Sequence, residues 1–405
     1  MIRFLGKLWR DRRGNALIIA GAALPFVVGA AGLATDTIQW VVWKRELQRA
    51  ADSAAFAGVY AKLQDSAVPA AVNGDLANNN KTGITLASGY PQIAYPTVGT
   101  YSYAVQVTLR VQKTLGFSSL FVSSAPLITA SATAAMVDDG QYCLVALKKS
   151  GGAGINIGGS SSANLGCGGI SNANANPAVA TNGASYNFIA PVVAGVGTLP
   201  SAITGVTSLR PHHSAMPDPF AGKYPTSTSG MTCNKQVTGG STNLTPGCYK
   251  DFSFTGNKTY NLAAGTYFLD STDFSVAGGV TVTGTGVTII LTGTTPGSIK
   301  TNGNSIVQLV APTSGTYSKM LFIQASNATT DNTNEINGNN TSNYDGAMYF
   351  PKGNVTFTGS SGNMTKCAMV VAYTATFSGN TNLQNSTTGC SANQTVTNKI
   401  VKLVA

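Results

Sequence analysis

The strongest hydrophobic pattern lies at the start of the chain. From Gly14 to Thr35, GNALIIAGAALPFVVGAAGLAT, 22 residues pass without a charge. Wound as a helix they reach about 33 Å, enough for a hydrocarbon core of about 30 Å. This predicts a transmembrane helix over 14–35, kinked at Pro25, with small residues (Ala16, Ala20, Gly21, Gly29, Gly32) that allow close approach of another helix. A cleaved signal peptide starts in the same basic-then-apolar order. Here the run is longer than a signal core and continues into a helical pattern, which favours a retained anchor.

Residues 36–64 continue that helix in amphipathic form. Leu47, Ala51, Ala54, Gly58 and Ala61 recur on one side, while Lys44, Arg45, Gln48, Arg49 and Asp52 fall elsewhere. Trp40 and Trp43 stand where an interfacial aromatic belt is expected. The small apolar face demands a cover, either the chain's own downstream domain or a partner helix; the five residues form the candidate partner-helix surface.

Residues 65–140 read as a small α/β region. Tyr101–Leu115 alternates like a half-buried strand, with Val105, Val107, Leu109 and Val111 on one face, and LITASATAAMV from Leu127 reads as a second strand. Beyond it, short apolar runs recur between Gly, Asn, Ser and Thr: TYFL at 266–269, TIIL at 288–291, IVQLV at 306–310, MLFI at 320–323, AMYF at 347–350 and AMVV at 368–371. Several repeat at about twenty residues, a spacing at which one solenoid turn stacks on the next. The expected fold class is therefore mainly β, with residues 141–405 forming a right-handed parallel β-helix; a β-sandwich is the alternative. Asn and Thr ladders fit such stacking. LRPHHSAMPDPF reads as a loop because its prolines withdraw backbone donors.

Charge sets the orientation. Arg3, Lys7, Arg10, Arg12 and Arg13 oppose only Asp11 within residues 1–13, so this segment stays cytoplasmic by the positive-inside bias and the bulk of the chain lies periplasmic or extracellular. The net charge of +10 is otherwise thinly spread, without the basic, aromatic-interleaved face of a nucleic-acid binder. Only 10% of residues are charged, a texture common in exported β-rich proteins. Six cysteines, Cys143, Cys167, Cys233, Cys248, Cys367 and Cys390, include no CxxC pair, and their even number in an exported region predicts disulfides. Sequence does not fix their connectivity; pairing in chain order closes modest loops.

Candidate chemistry is sparse. His212 and His213 are the only histidines, and adjacent residues diverge on strands and helices. Seven carboxylates follow residue 140, of which Asp270 and Asp273 in DSTD are the best acid and base pair for a β-helix polysaccharide lyase. No GxSxG, Walker-type or HExxH pattern occurs. The expectation is a non-enzymatic protein without metal or cofactor.

The run RRGNALIIAGAALPFVVGAAGLATDTIQWVVWKRELQRAADSAAFAGV resembles the N-terminal region of TadG-like proteins of Tad (Flp) pilus assembly. The resemblance rests on the basic stretch and Gly, the Pro-containing apolar span, the following Asp, and the Leu47, Gln48, Ala50, Ala51, Asp52, Ala54, Ala55 signature. It covers about fifty residues and implies a single-pass bacterial inner-membrane protein whose partners are pilus or Tad assembly proteins. Two departures limit it: the fifth residue after Gly14 is Ile19, not the Glu of a processed prepilin, and no Asp-x-Ser-x-Ser metal motif of a von Willebrand A domain is present. The expected function is structural. A pilus-associated adhesin or minor pilin binding a surface glycan, and then the lyase, are the alternatives.

Overall fold

The computed structural model describes residues 13–79, 85–99, 101–183, 185–238, 240–337, 341–359, 363–364, 368–380, 382–385 and 396–404. They fall into two compact units, Met1–Asp138 with Lys399–Ala405, and Asp139–Asn398. The last residues, Lys399–Ala405, group with the first unit. A long-range return of this kind leaves no trace in local periodicity.

The first unit is built on helix α1, Arg13–Leu63, which contains Pro25 and runs unbroken through both the expected span and the juxtamembrane segment. Among the described residues it is the one helix long and apolar enough to cross a membrane, and its most apolar stretch is uncovered, Phe26 being 80% exposed. Helix α2 is Val68–Asn79, and strands β1 (Gln92–Ala94), β2 (Ser102–Gln112) and β3 (Leu127–Ala146) pair antiparallel, Val107 standing opposite both Ile93 and Ala132. The C-terminal strand Val396–Leu403 ends beside β3, where the Val404 amide donates to the Thr133 carbonyl at 2.8 Å.

Alternation on β2 and helical spacing on α1 meet in one core. Leu47, Ala51, Ala54, Ala55 and Val59 pack with Val105, Val107, Leu109, Ile128, Ala130 and Ala132, and with Val68 and Val72 of α2. The face carrying Leu47, Ala51, Ala54, Gly58 and Ala61 lies in this core, where the chain's own sheet and second helix supply the first of the two covers expected for it. Amphipathicity requires a cover but does not say which. Gly58 marks the closest approach: a Cβ there would stand 2.8 Å from Val105 Cγ1 and 3.3 Å from Val72 Cγ2. Gly58→Leu should overpack this contact and cost about 1–3 kcal/mol, read as a lower denaturation midpoint in detergent. An unchanged midpoint would mean that the helix and sheet separate freely.

Among the described residues of the second unit the strands run parallel in three ladders. In the first, Gly247 pairs with Tyr267, then in turn follow Ile289, Phe322, Met348, Val370, Leu144, Gly169, Val193 and Leu209, with register shifts between Met320 and Phe322, Phe350 and Asn354, and Tyr142 and Leu144. The order shows that the chain enters in the middle of the stack. Residues 142–210 build towards one end, and residues 235–377 start at the other end and build back until Val370 meets Leu144. A second ladder passes through Ser253, Ser275, Lys300, Glu335, Thr356, Thr376 and Asn156. The third passes through Asn243, Asn261, Thr283, Gln308 and Asn343.

The apolar runs fall mostly in the first ladder because its strands are buried on both sides. Leu269, Ile289, Leu291, Phe322 and Met348 face an interior filled with aromatic rings. Phe268, Ile290, Ile323, Tyr349, Val371, Val145 and Ile170 face the opposite side, where Met216 and Phe220 cover them. IVQLV instead alternates, with Val307 and Leu309 buried and Gln308 exposed, because the third ladder buries only one face.

Candidate functional site

Residues 211–234 carry the chain from one end of the first ladder back to the other. That ladder spans roughly 45–50 Å at the usual strand spacing, within reach of an extended segment of this length. The segment contains Pro211, Pro217, Pro219 and Pro225, which have no amide to give to a ladder. It is held by side chains instead, crossing successive strands like a strap.

The contacts follow the strap in order. At its start the His213 amide donates to the Gly195 carbonyl at 2.9 Å. Asn172 then pairs with the Met216 backbone, its amide donating to the Met216 carbonyl at 2.7 Å and its oxygen accepting the Met216 amide at 2.8 Å. The Tyr349 hydroxyl donates to Asp218 at 2.8 Å, and Phe220 meets the Tyr349 ring edge-on at 5.5 Å. Burial, followed by the Asp218 hydrogen bond and charge, raises the Tyr349 pKa above its ordinary value, which keeps the phenol as the donor. Tyr317 donates to the Pro225 carbonyl at 2.7 Å, and Thr292 to the Thr226 carbonyl at 2.5 Å. The strap ends in the Cys233–Cys248 disulfide.

At the strap's origin lies a buried charged cluster. Asp139, 3% exposed, receives Arg210 Nη1 on Oδ1 at 2.6 Å and His213 Nε2 on Oδ2 at 2.5 Å. Arg210 also donates to the Asp139 carbonyl, which accepts the Tyr142 hydroxyl at 3.2 Å. The second imidazole nitrogen of His213 faces the Ser214 carbonyl at 2.8 Å. Both ring nitrogens of His213 therefore face oxygen atoms. Burial raises the Tyr142 pKa, with the Asp139 charge adding to it and Arg210 opposing, so the phenol stays protonated. This arrangement fastens a loop. No local pattern marks Asp139, because its partners lie 71 and 74 residues away.

The other sequence candidates are dispersed. Cys143 and Cys167 are bonded, joining neighbouring strands of the first ladder beside the Leu144–Gly169 register. Cys367 and Cys390 lie outside the described residues. Asp273 accepts the Ser298 amide at 2.8 Å and pairs with Lys300 at 2.7 Å, while Asp270 accepts the Ser271 hydroxyl at 3.2 Å and lies 3.9 Å from Lys250. Each carboxylate is thus engaged by its own turn or neighbouring strand. Among the described residues no group of three or more His, Cys, Asp and Glu side chains is placed to hold a metal ion.

Residues 14–67 match the family model described as a putative Flp pilus-assembly TadE/G-like region. The match coincides with α1 and the turn after it, so the chain carries a TadE/G-like region built on its apolar helix. Neither the curated proteins nor the solved structures contain a match to the chain. The apolar helix near the N-terminus fits a membrane anchor or a signal sequence, and the disulfides suit an extracytoplasmic bulk.

Proposed function

We propose that this protein is a non-enzymatic structural component of a Tad (Flp) type pilus or secretion system, anchored by α1 in the inner membrane with its N-terminus inside. In this reading the second unit is a right-handed parallel β-helix, interrupted in sequence by its strap, that presents a stiff surface to pilus or Tad proteins outside the membrane. The observation that carries it is the continuity of α1. The TadE/G-like match covers a helix whose first half is apolar and uncovered and whose second half is built into a folded core. Such a helix joins the bilayer to the folded core of the first unit without a break in the helix. The expected result is an intact N-terminus in the inner-membrane fraction of the native host, with pilus output lost on deletion of the gene. A chain cleaved near Gly14 or after Ala34 and recovered from medium would overturn the anchor.

A second reading, a pilus-associated adhesin for a surface glycan, draws on the third ladder. Asn243, Asn261, Thr283, Gln308 and Asn343 stand in register on its outer side, partly or fully exposed. The Asn261 amide donates to Asn243 at 3.1 Å and Thr283 donates to Asn261 at 2.7 Å, so these groups already stabilise one another. Recovery of the full chain in sheared pili, with glycan binding lost on Asn261→Ala, would promote this reading.

A further inference from the structure

The first unit has an apolar feature that its core does not absorb. Between β2 and β3, residues 114–126, TLGFSSLFVSSAP, contain no charged side chain. A short 3-10 turn at Ser118–Leu120 pushes three consecutive apolar residues outward: Leu120 is 74% exposed, Phe121 75% and Val122 53%. A contiguous apolar tip of this size, separate in sequence from the uncovered stretch of α1, marks an interaction surface.

The tip is fixed to α1 at one place. Asp36, 4% exposed, accepts the Phe117 amide on Oδ1 at 2.9 Å, and the Ser118 amide and hydroxyl on Oδ2, each at 2.5 Å. One turn earlier on the same helix face, Gly32 receives the Phe117 ring, in the space that a Cβ would occupy. Phe117 in turn packs on Phe121 with ring centroids 5.2 Å apart. Gly32 and Asp36 together form a dock that sets the tip's height along the helix.

That height coincides with the end of the apolar span. The charge-free run ends at Thr35 and is about 33 Å long, against a hydrocarbon core of about 30 Å, so Gly32 lies just inside the outer boundary. Beyond it, Lys113 at the base of the loop stacks over Trp43 at 4.4 Å, a pairing suited to the headgroup level. The loop is amphipathic in the same sense. A groove of about 650 Å³ within it is lined by Val122 and Pro126 together with the hydroxyl-bearing Ser118, Ser119, Ser123 and Ser124.

We propose that the Leu120–Val122 tip inserts into the outer leaflet of the membrane beside α1, held at depth by Asp36 and Gly32, and that its occupant is phospholipid. This gives the protein two membrane contacts, a span and a finger, which fix the tilt and rotation of the first unit over the bilayer. The role rests on the anchored reading of α1. It also gives Asp36 a task that the helix alone does not require. Burial pushes the Asp36 pKa up, but the hydrogen bonds from the Ser118 hydroxyl and the two amides outweigh it, and the carboxyl titrates below its ordinary value. A depressed carboxylate is stabilising above its unfolded pKa, so the dock is fully present near neutrality and is lost only as pH falls through the lowered value.

The test is lipid photocrosslinking of the full chain in phosphatidylethanolamine–phosphatidylglycerol vesicles. Phe121→p-benzoylphenylalanine is compared with the same replacement at Phe26 in the span and at Tyr60, which lies about 36 Å along α1 beyond Asp36. After irradiation, peptide masses are read for a phospholipid adduct. The expected yield at Phe121 is within about threefold of that at Phe26 and about tenfold or more above that at Tyr60. Asp36→Asn, and separately the milder Ser118→Ala, should lower the Phe121 yield severalfold while leaving the Phe26 yield unchanged. Lipid adducts at Phe26 without any at Phe121, or protein adducts at Phe121, would overturn the finger and leave the anchor standing. Absence of lipid adducts at Phe26 would overturn the anchor itself, and the finger with it.

Discussion

Asp139→Ala should lower the stability of the second unit by about 3 kcal/mol, towards the lower end for a buried charge pair stripped of one partner. The substitution leaves the Arg210 guanidinium and the His213 ring facing a cavity where a carboxylate had accepted from both. The lower end is appropriate because Arg210 remains 36% exposed and water can reach part of it. In detergent, the near-ultraviolet circular dichroism transition of the second unit should fall by on the order of 10 °C. Asp139→Asn should fall between the two, since an amide oxygen can still accept one of the hydrogen bonds. His213→Ala should cost much less in the Asp139→Ala background than alone, because the two side chains share one interaction. A change of less than about 0.5 kcal/mol for Asp139→Ala would mean that the cluster does not fasten the strap.

Phe252→Ala should cost about 3–5 kcal/mol, the range for deleting a fully buried aromatic side chain. Phe252 is completely buried, and its ring centroid lies 4.8 Å from Tyr249, 5.0 Å from Phe254, 5.7 Å from Tyr267 and 6.0 Å from Phe274. These neighbours belong to successive strands of the stack, so the site closes poorly when the ring is removed. The transition should shift by an amount comparable to that of Asp139→Ala, with loss of near-ultraviolet tyrosine signal. Phe252→Leu fills most of the volume and should recover over half of the loss. A penalty under about 1 kcal/mol would show that the interior at this point is loose enough to collapse around the gap.

The sequence located the apolar helix, its basic flank, the alternating strand at Val105–Val111 and the apolar runs of the second unit. Each of these is a local record of how an element meets its solvent or its core. TYFL and MLFI are continuous rather than alternating because their strands are buried on both sides, and that was visible as composition. What covered the second side was not, since the strap's Met216 and Phe220 are distant in sequence from nearly all the strands they protect. For the same reason the Leu47–Ala61 face could be read as awaiting a cover while its true cover, Val105, Val72 and their neighbours, went unassigned.

Within the candidate site the histidine pair drew notice only because histidine is rare here. The structure separates the two roles, burying His213 against Asp139 and leaving His212 at the exposed turn before it. Asp36 was legible as the acid that ends the apolar run, yet the loop it docks lies 81 residues on. By itself, then, the sequence determined which segments are helix, strand and membrane-compatible, because periodicity and charge act over a few residues. The tertiary structure alone decided that the stack begins in its middle, that a strap closes it, and which groups share a buried charge. Those facts depend on the closure of long loops, and no local pattern encodes where such a loop comes to rest.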